Sequence, residues 1–315
     1  MHHAIHSTKK KKEIQKKTKI IAISVFFGVL FLFAGLVWVS LRPALLITGT
    51  AIQGTKILDV DALKKNAEEE LVGNYFYFFP KKNIFIYPEN SIQSHIRSAF
   101  PGVASVHLSV GKSHELIILI DERKPSAIWC GVDKPENSVS LPDGCYYVDE
   151  TGYIFGNSPS FSGDAYFTLY GQGDIKGTKI LGQHLVSEDK YERILNLRNF
   201  LLGYINTVNT IYLGVDNYAE FIDSSGFLIK WNIDQDINQI KSNMQAIFRS
   251  GSWKDGTFSS DPEKRKPLEY LDFRFGNKVF YKERGKESIV PVIDAPTDSA
   301  TTTTDVIPAN EVLPQ

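Results

Sequence analysis

Residues 20–41 read IIAISVFFGVLFLFAGLVWVSL, an apolar run without one charged side chain. About 20 such residues cross a hydrocarbon core. A helix suits that role because it pairs every backbone N–H and C=O within itself. A buried core helix would carry a polar stripe, and none interrupts this run. A cleaved signal peptide has a shorter apolar region and a small-residue cleavage site, whereas here Trp38, Val39 and Leu41 lead into Arg42 and Pro43. The run predicts one membrane-spanning helix over residues 20–41.

Orientation follows from Lys9, Lys10, Lys11, Lys12, Lys16, Lys17 and Lys19, all placed before the span. Positive charge beside a span is retained in the cytoplasm. Residues 1–19 therefore read as a basic cytoplasmic tail, with the bulk of the chain on the outer side. The span also gives the basic run a topological explanation, which weakens a nucleic-acid reading of KKKK. Of the chain's 35 basic and 36 acidic residues, seven lysines and one glutamate lie in that tail, so 28 basic residues face 35 acidic ones beyond it. An acidic exterior argues against nucleic acid as a partner.

The two cysteines, Cys130 and Cys145, both fall on the outer side, where a disulfide can persist. Strand-like sequence flanks them, and the segment between is rich in Pro, Gly and Asn. A disulfide is expected to staple the base of that loop, with a gain of about 3 kcal/mol for a loop of about 15 residues. A zinc site would need further His or Asp ligands at suitable spacing, and no such group accompanies the pair.

The outer region is longer than one small core usually serves, and a seam shows at residues 122–125, where an apolar strand gives way to a charged, proline-ended stretch. Residues 42–122 read strand, helix, helix, strand, strand. The first strand is expected at 45–52. Asp59 then stands at an N-cap before Val60, Leu63, Ala67 and Leu71, which recur at helical spacing. A second helix opens with Pro88 in its first turn and buries Ile92, Ile96 and Phe100. Val106, Leu108 and Val110 alternate as a strand, and residues 116–120 form an unbroken apolar run that suits a central one.

Residues 123–284 read as a β-rich domain with two helices. Strands are expected at 127–130, 146–149, 153–155, 166–170, 210–213, 219–223 and 227–231, with one last strand over 268–282. Ser187 is expected to cap a helix whose apolar face includes Tyr191, Ile194, Leu201 and Ile205. A second helix is marked by Ile233, Ile237, Ile240, Met244 and Ile247, followed by a polar loop at 251–267. Residues 285–315 are Pro, Thr, Asp and Ala rich and are expected to lack structure. The fold class is thus α+β behind a single transmembrane helix.

Catalysis needs a nucleophile with its base, a carboxylate pair, a metal cluster or a phosphate-cradling loop. The sequence offers none with convincing spacing. His95, His107, His114 and His184 are scattered. Gly171-Gln172-Gly173 reads as a turn, because it opens no helix and lacks the rest of the glycine pattern. Asp149, Glu150 and Asp223 sit where turn carboxylates bond their own backbone. No enzyme activity, cofactor, metal or small-molecule substrate is expected. The aromatic segment at 75–87 reads as packing within the first outer domain, with contact to the lipid surface as the second reading.

These features together resemble the FtsQ/DivIB family of bacterial cell-division proteins. The resemblance rests on Phe100-Pro101-Gly102-Val103 leading into Val106, on DERKPSAIW at 121–129 (similar to the family's Glu-Arg-x-Pro-x-Ala-x-Trp) and on YVDETGYIF at 147–155 (similar to Val-Asp-x-x-Gly-x-x-Phe). YLDFRF at 270–275 is similar to the family's Val-Asp-Leu-Arg-Phe strand. The resemblance implies a POTRA-type β-α-α-β-β domain next to the membrane, then a β domain with a C-terminal edge strand. It also implies a non-enzymatic divisome scaffold in the bacterial inner membrane, located at the septum, that binds FtsB-like and FtsL-like bitopic partners and helps regulate septal peptidoglycan synthesis. In the family a partner adds a strand to the last sheet edge. Carried onto this sequence, that edge offers Tyr270, Asp272, Arg274, Phe275, Val279, Phe280 and Tyr281 as partner-binding residues. Gly276-Asn277 offers another possibility, a hairpin that occupies its own edge. The same architecture also suits an anchored envelope transport component and, in another class, an anchored envelope hydrolase.

Overall fold

The computed structural model describes residues 4–131, 133, 144–159, 165–205, 208–249, 268–285 and 292–294. The chain divides into two compact units, one ending at Glu122 and the other beginning at Arg123.

The first unit opens with helix α1, Ala4–Ser40, which runs without a break from the lysine-rich segment into the apolar one. Its residues 15–40 form a helix long and apolar enough to cross a membrane, and within that stretch only the terminal Ser40 is buried. A short 3-10 turn at Pro43–Leu45 follows, so strand β1, Gly49–Gln53, starts later than the apolar pattern at 45–52 suggests. Proline at the first position favours that turn over extended chain.

Helix α2, Val60–Glu70, starts where Asp59 accepts hydrogen bonds from the Asp61 and Ala62 amides at 2.9 and 3.2 Å. Helix α3, Glu89–Ala99, begins directly after Pro88. A two-rung hairpin, β2 (Asn74–Tyr75) with β3 (Phe79–Pro80), separates the helices. Strands β4, Val103–Val110, and β5, Glu115–Glu122, complete a three-stranded sheet in the order β1-β5-β4, with β1 parallel and β4 antiparallel to β5.

β5 is central, and it buries Leu116, Ile118 and Ile120 against Leu63 and Ala67 of α2 and Ile92 and Ile96 of α3. Its intervening Leu119 remains 43 % exposed, so the apolar run faces a core on one side only.

The second unit is built on a ten-stranded mixed sheet among the described residues, in the order β15-β14-β13-β12-β11-β10-β9-β6-β7-β8. These strands are β6 Ala127–Trp129, β7 Tyr146–Val148, β8 Ile154–Asn157, β9 Phe167–Gly171, β10 Val208–Leu213, β11 Tyr218–Asp223, β12 Leu228–Asn232, β13 Leu268–Phe275, β14 Lys278–Glu283 and β15 Val292–Asp294. Helices α4, Glu188–Leu201, and α5, Ile237–Arg249, pack Tyr191, Ile194, Leu197, Ile240, Met244 and Ile247 into one core with Phe221, Ile229, Trp231, Leu271 and Phe273 of the sheet. Ser187 stands at the α4 N-cap without a side-chain capping bond, and α5 begins at Ile237, four residues after the first apolar position of its pattern.

One expectation needs correction. The last strand is not a single edge strand over 268–282. It is a hairpin of β13 and β14, turned at Gly276-Asn277, and β15 covers β14 on its outer side. Gly276 has φ +63°, the positive value that a two-residue hairpin turn requires and that glycine meets without strain. Residues 292–294 thus form a strand inside the segment expected to lack structure; most of that segment, and the polar loop at 251–267, lie outside the described residues.

Two hairpins of this unit share one construction. At Asp149-Glu150-Thr151-Gly152-Tyr153, Asp149 Oδ1 accepts from Thr151 N (2.9 Å), Thr151 Oγ1 (2.7 Å) and Tyr153 N (3.0 Å). At Asp223-Ser224-Ser225-Gly226-Phe227, Asp223 Oδ1 accepts from Ser225 N (2.8 Å), Ser225 Oγ (2.6 Å) and Phe227 N (2.9 Å). Both carboxylates are buried, and each bonds its own turn as the sequence position suggests.

The GxG element has an equally local explanation. A Cβ at Gly171 would lie 1.9 Å from Leu213 O, and one at Gly173 would lie 2.2 Å from Leu185 O. Close backbone approach, rather than a phosphate, accounts for both glycines.

Candidate docking hairpin

The β13–β14 hairpin gathers all seven candidate partner-binding residues, and strand alternation sorts them onto two faces. Leu271 and Phe273 point into the core under α4 and α5, so Tyr270 and Asp272 lie on the opposite face. Across the strand pairings, Glu220 of β11, Lys230 of β12, Asp272 of β13 and Phe280 of β14 stand in one row on that face.

The row is electrostatically linked. Lys230 Nζ lies 3.8 Å from the buried Glu220 carboxylate and 4.1 Å from the centre of the Tyr270 ring, while Tyr218 Oη donates to Glu220.

Asp272 is buried, at 4 % exposure, and Arg274 two residues on neutralises it. Arg274 Nε donates to Oδ1 at 2.9 Å, a second guanidinium nitrogen donates to Oδ2 at 2.6 Å, and the Arg274 amide reaches Oδ1 at 3.1 Å. The hydrogen bonds that Arg274 donates to the Asp272 carboxylate, followed by that group's charge, hold the Arg274 guanidinium above its ordinary pKa against the opposing effect of burial. The same guanidinium lies 4.8 Å from the Tyr218 ring centre, a cation–π contact. The pair is therefore internal to the hairpin.

At the tip, Phe275 is 48 % exposed and packs edge-on against Phe280, with ring centres 4.8 Å apart. Val279 is fully buried in the core, and Tyr281 packs against that core from its margin. Of the seven, then, Tyr270, Asp272, Arg274, Phe275 and Phe280 are brought together away from the helices. Val279 and Tyr281 are turned towards the helices, and only their backbones belong to the strand edge.

Polar residues of and beside α5 fix the turn. Asn243 Nδ2 donates to Gly276 O at 2.7 Å, and Gln239 Nε2 donates to Asn277 Oδ1 at 2.6 Å. Gln235 Nε2 reaches Phe273 O and Arg274 O at 3.3 and 3.0 Å. The sequence reading missed these three. Their signal is the four-residue spacing of amide side chains beside an apolar stripe, which places them along one side of the helix.

On the outer edge, β14 pairs antiparallel with β15: Lys278 with Asp294, Val279 with Ile293 and Phe280 with Val292. The chain's own C-terminal segment thus occupies the strand edge to which an added strand would pair.

Cys130 and Cys145 form a disulfide immediately beyond the last β6–β7 rung, Trp129 with Tyr146. Together with Ile128 and Tyr170 they make a small buried cluster. No group of three or more potential metal-ligating His, Cys, Asp or Glu occurs among the described residues. His95 is bonded to Glu70 through Nδ1 at 2.8 Å, linking α3 to α2. Neither a protein-family model nor a curated protein matches the chain.

Proposed function

We propose that this chain is a single-pass membrane scaffold of the FtsQ/DivIB kind, in which a membrane-proximal POTRA-type domain and a β domain dock FtsB-like and FtsL-like division proteins outside the bacterial inner membrane. The observation that carries the reading is the β13–β14 hairpin next to the outermost strand β15, whose tip exposes Phe275 packed against Phe280 and the guanidinium of Arg274. Strand addition at β14 would follow displacement of β15, with backbone groups supplying affinity and alternate side chains supplying selectivity.

The order of elements supports the same reading. An apolar helix precedes a unit whose three-stranded sheet and two helices follow in β-α-α-β-β order, with the β2–β3 hairpin inserted between the helices, and a β-rich unit with two helices follows. The two family-like motifs also meet in space, since Arg123 of DERKPSAIW is ion-paired with Asp149 of YVDETGYIF. Trp129 of the first motif is buried and donates from Nε1 to Gly171 O at 2.8 Å.

Fluorescence imaging of the tagged full chain tests the reading. A band at midcell that depends on the division machinery is expected; uniform labelling of the cell envelope throughout the cycle would favour envelope transport and overturn the divisome role.

A further inference from the structure

We infer that the aromatic tip of the β2–β3 hairpin enters the outer leaflet of the membrane beside α1, making the first unit a second lipid contact of the chain. The inference rests on the reading of α1 as a membrane span and adds a lipid-binding surface to it.

The tip is Phe76-Tyr77-Phe78, with Phe76 at 83 % and Tyr77 at 93 % exposure, and Phe85 nearby in sequence is 76 % exposed. Large apolar side chains grouped in this way mark an interaction surface. The backbone makes the choice of residue more telling. Phe76 and Tyr77 have φ of +49° and +68°, a region that bulky side chains enter at a cost and where Gly or Asn would sit easily. Aromatics at these two positions are thus explained by what they touch outside the unit, not by the turn they make.

Contacts with α1 identify the occupant. Phe33, inside the apolar span, packs edge-on against Phe78 and Phe79 with ring centres 5.6 and 5.8 Å apart. Trp38 lies 3.3 Å beneath the Arg42 guanidinium, and Trp is enriched at the membrane–water boundary. From Lys19 to Trp38 the helix rises about 29 Å, the thickness of a hydrocarbon core. Phe33 lies about 7.5 Å deeper than Trp38 along the axis. The ring contacts therefore bring the hairpin tip below the boundary, into the upper acyl chains.

The placement is fixed by bonds at the end of α1. Asn83 Nδ2 donates to Ser40 O and Oγ at 3.0 and 3.2 Å, both residues being buried. Ile47 N donates to Lys82 O at 2.8 Å, and Ile84 N to Leu45 O at 2.9 Å. Lys81 and Lys82 follow the hairpin and lie next to Asn83 in sequence, at the level of the helix end, where lipid phosphates are found. The turn also satisfies part of its own polar backbone, as lipid requires: Phe78 N donates to Tyr75 O at 3.1 Å, and Asn74 Nδ2 to Tyr77 O at 3.3 Å.

The test uses the full chain, with its disulfide intact, in vesicles of phosphatidylcholine and phosphatidylglycerol. A polarity-sensitive fluorophore is attached at Tyr77→Cys or, in a separate sample, at Phe31→Cys within the span. Each is quenched with nitroxide-labelled lipid or with aqueous iodide. Loss of most fluorescence to nitroxide lipid at both positions, with iodide ineffective, is the expected result. Lipid quenching at 31 with iodide quenching at 77 would overturn the inference and leave the span intact. Shielding of 77 from both quenchers would assign the tip to a protein surface and overturn it equally. Absence of lipid quenching at both positions would remove the span reading and the inference with it.

Discussion

Arg123 is ion-paired with Asp149 across the first strands of the second unit, and its guanidinium lies 4.1 Å from the Tyr153 ring centre. Burial pushes the Asp149 carboxyl up, but hydrogen bonds from Thr151, from the Tyr153 amide and from Arg123 outweigh it and hold the pKa below the ordinary carboxylate value. A carboxyl whose pKa is depressed by folding contributes stability that is complete above its unfolded value and is lost as pH falls through its folded value. Unfolding of the second unit, followed by the fluorescence of buried Trp129 and Trp231, is therefore expected to become easier below about pH 4. Asp149→Asn should flatten that acid limb, because Asn keeps an acceptor for the turn but has no proton to gain. Asp149→Ala removes both the pair and the turn acceptor, and it should cost about 3–5 kcal/mol in a urea titration.

Glu122 plays a comparable part in the first unit. Its Oε1 accepts from the Lys56, Ile57 and Leu58 amides, each at 2.9 Å, tying the end of β5 to the loop before α2. Burial raises the carboxyl, and the three amides bring it below its usual value. Glu122→Ala should destabilise this unit by about 1–3 kcal/mol, since the amides lose their acceptor. Hydrogen exchange at Lys56, Ile57 and Leu58 is the direct measurement, and unchanged protection there would contradict the role.

Docking at the last hairpin should separate side-chain from backbone contributions. Phe275→Lys, at the exposed tip, is expected to weaken capture of an FtsB-like partner with the unfolding transition unchanged. Val279→Lys would place a charge in the core and unfold the unit, so loss of binding in that variant says nothing about docking.

β15 occupies the outer edge of β14, so under the proposed docking mode a partner strand would have to displace it. Removing residues 286–315 should therefore tighten partner binding, read by titration calorimetry. Equal affinity with and without the segment would mean that the partner uses another surface.

The Cys130–Cys145 bridge closes a 15-residue separation, for which the chain-entropy argument gives about 3 kcal/mol. Replacing both by Ser should lower the denaturant midpoint of the second unit and leave that of the first unchanged, with hydrogen exchange separating the two.

The two-helix, three-strand order of the first unit was legible because its signals are local: Asp59 before an apolar stripe, Pro88 at a helix start, and strict alternation in β4. The strands of the second unit from β6 to β12 were readable one by one, through turn residues such as Gly152 and Gly226, whereas β15 fell in a segment expected to lack structure. The unit's sheet order was not legible, because β9 pairs with β6 and β10 through contacts far apart in the chain that leave no local periodicity. The hairpin at 268–283 was half hidden: Phe275 and Lys278 are both strand-like, and Gly276-Asn277 alone marks the reversal. The docking residues divided between faces for a related reason. The register shift between Asp272 and Phe275 breaks the two-residue alternation along β13, turning Phe275 away from the core face of Leu271 and Phe273; unbroken alternation carried through the turn would have put Val279 on the outer face.

The bonds from Asn83 to Ser40 have a mechanical consequence. A tether with a slack linker lets an outer domain swivel freely, so torque generated within the bilayer is dissipated in the joint. Here the last turn of the helix is fastened into the body of the first unit. A partner that rotates or tilts α1 would turn that unit with it, as a key turns a lock.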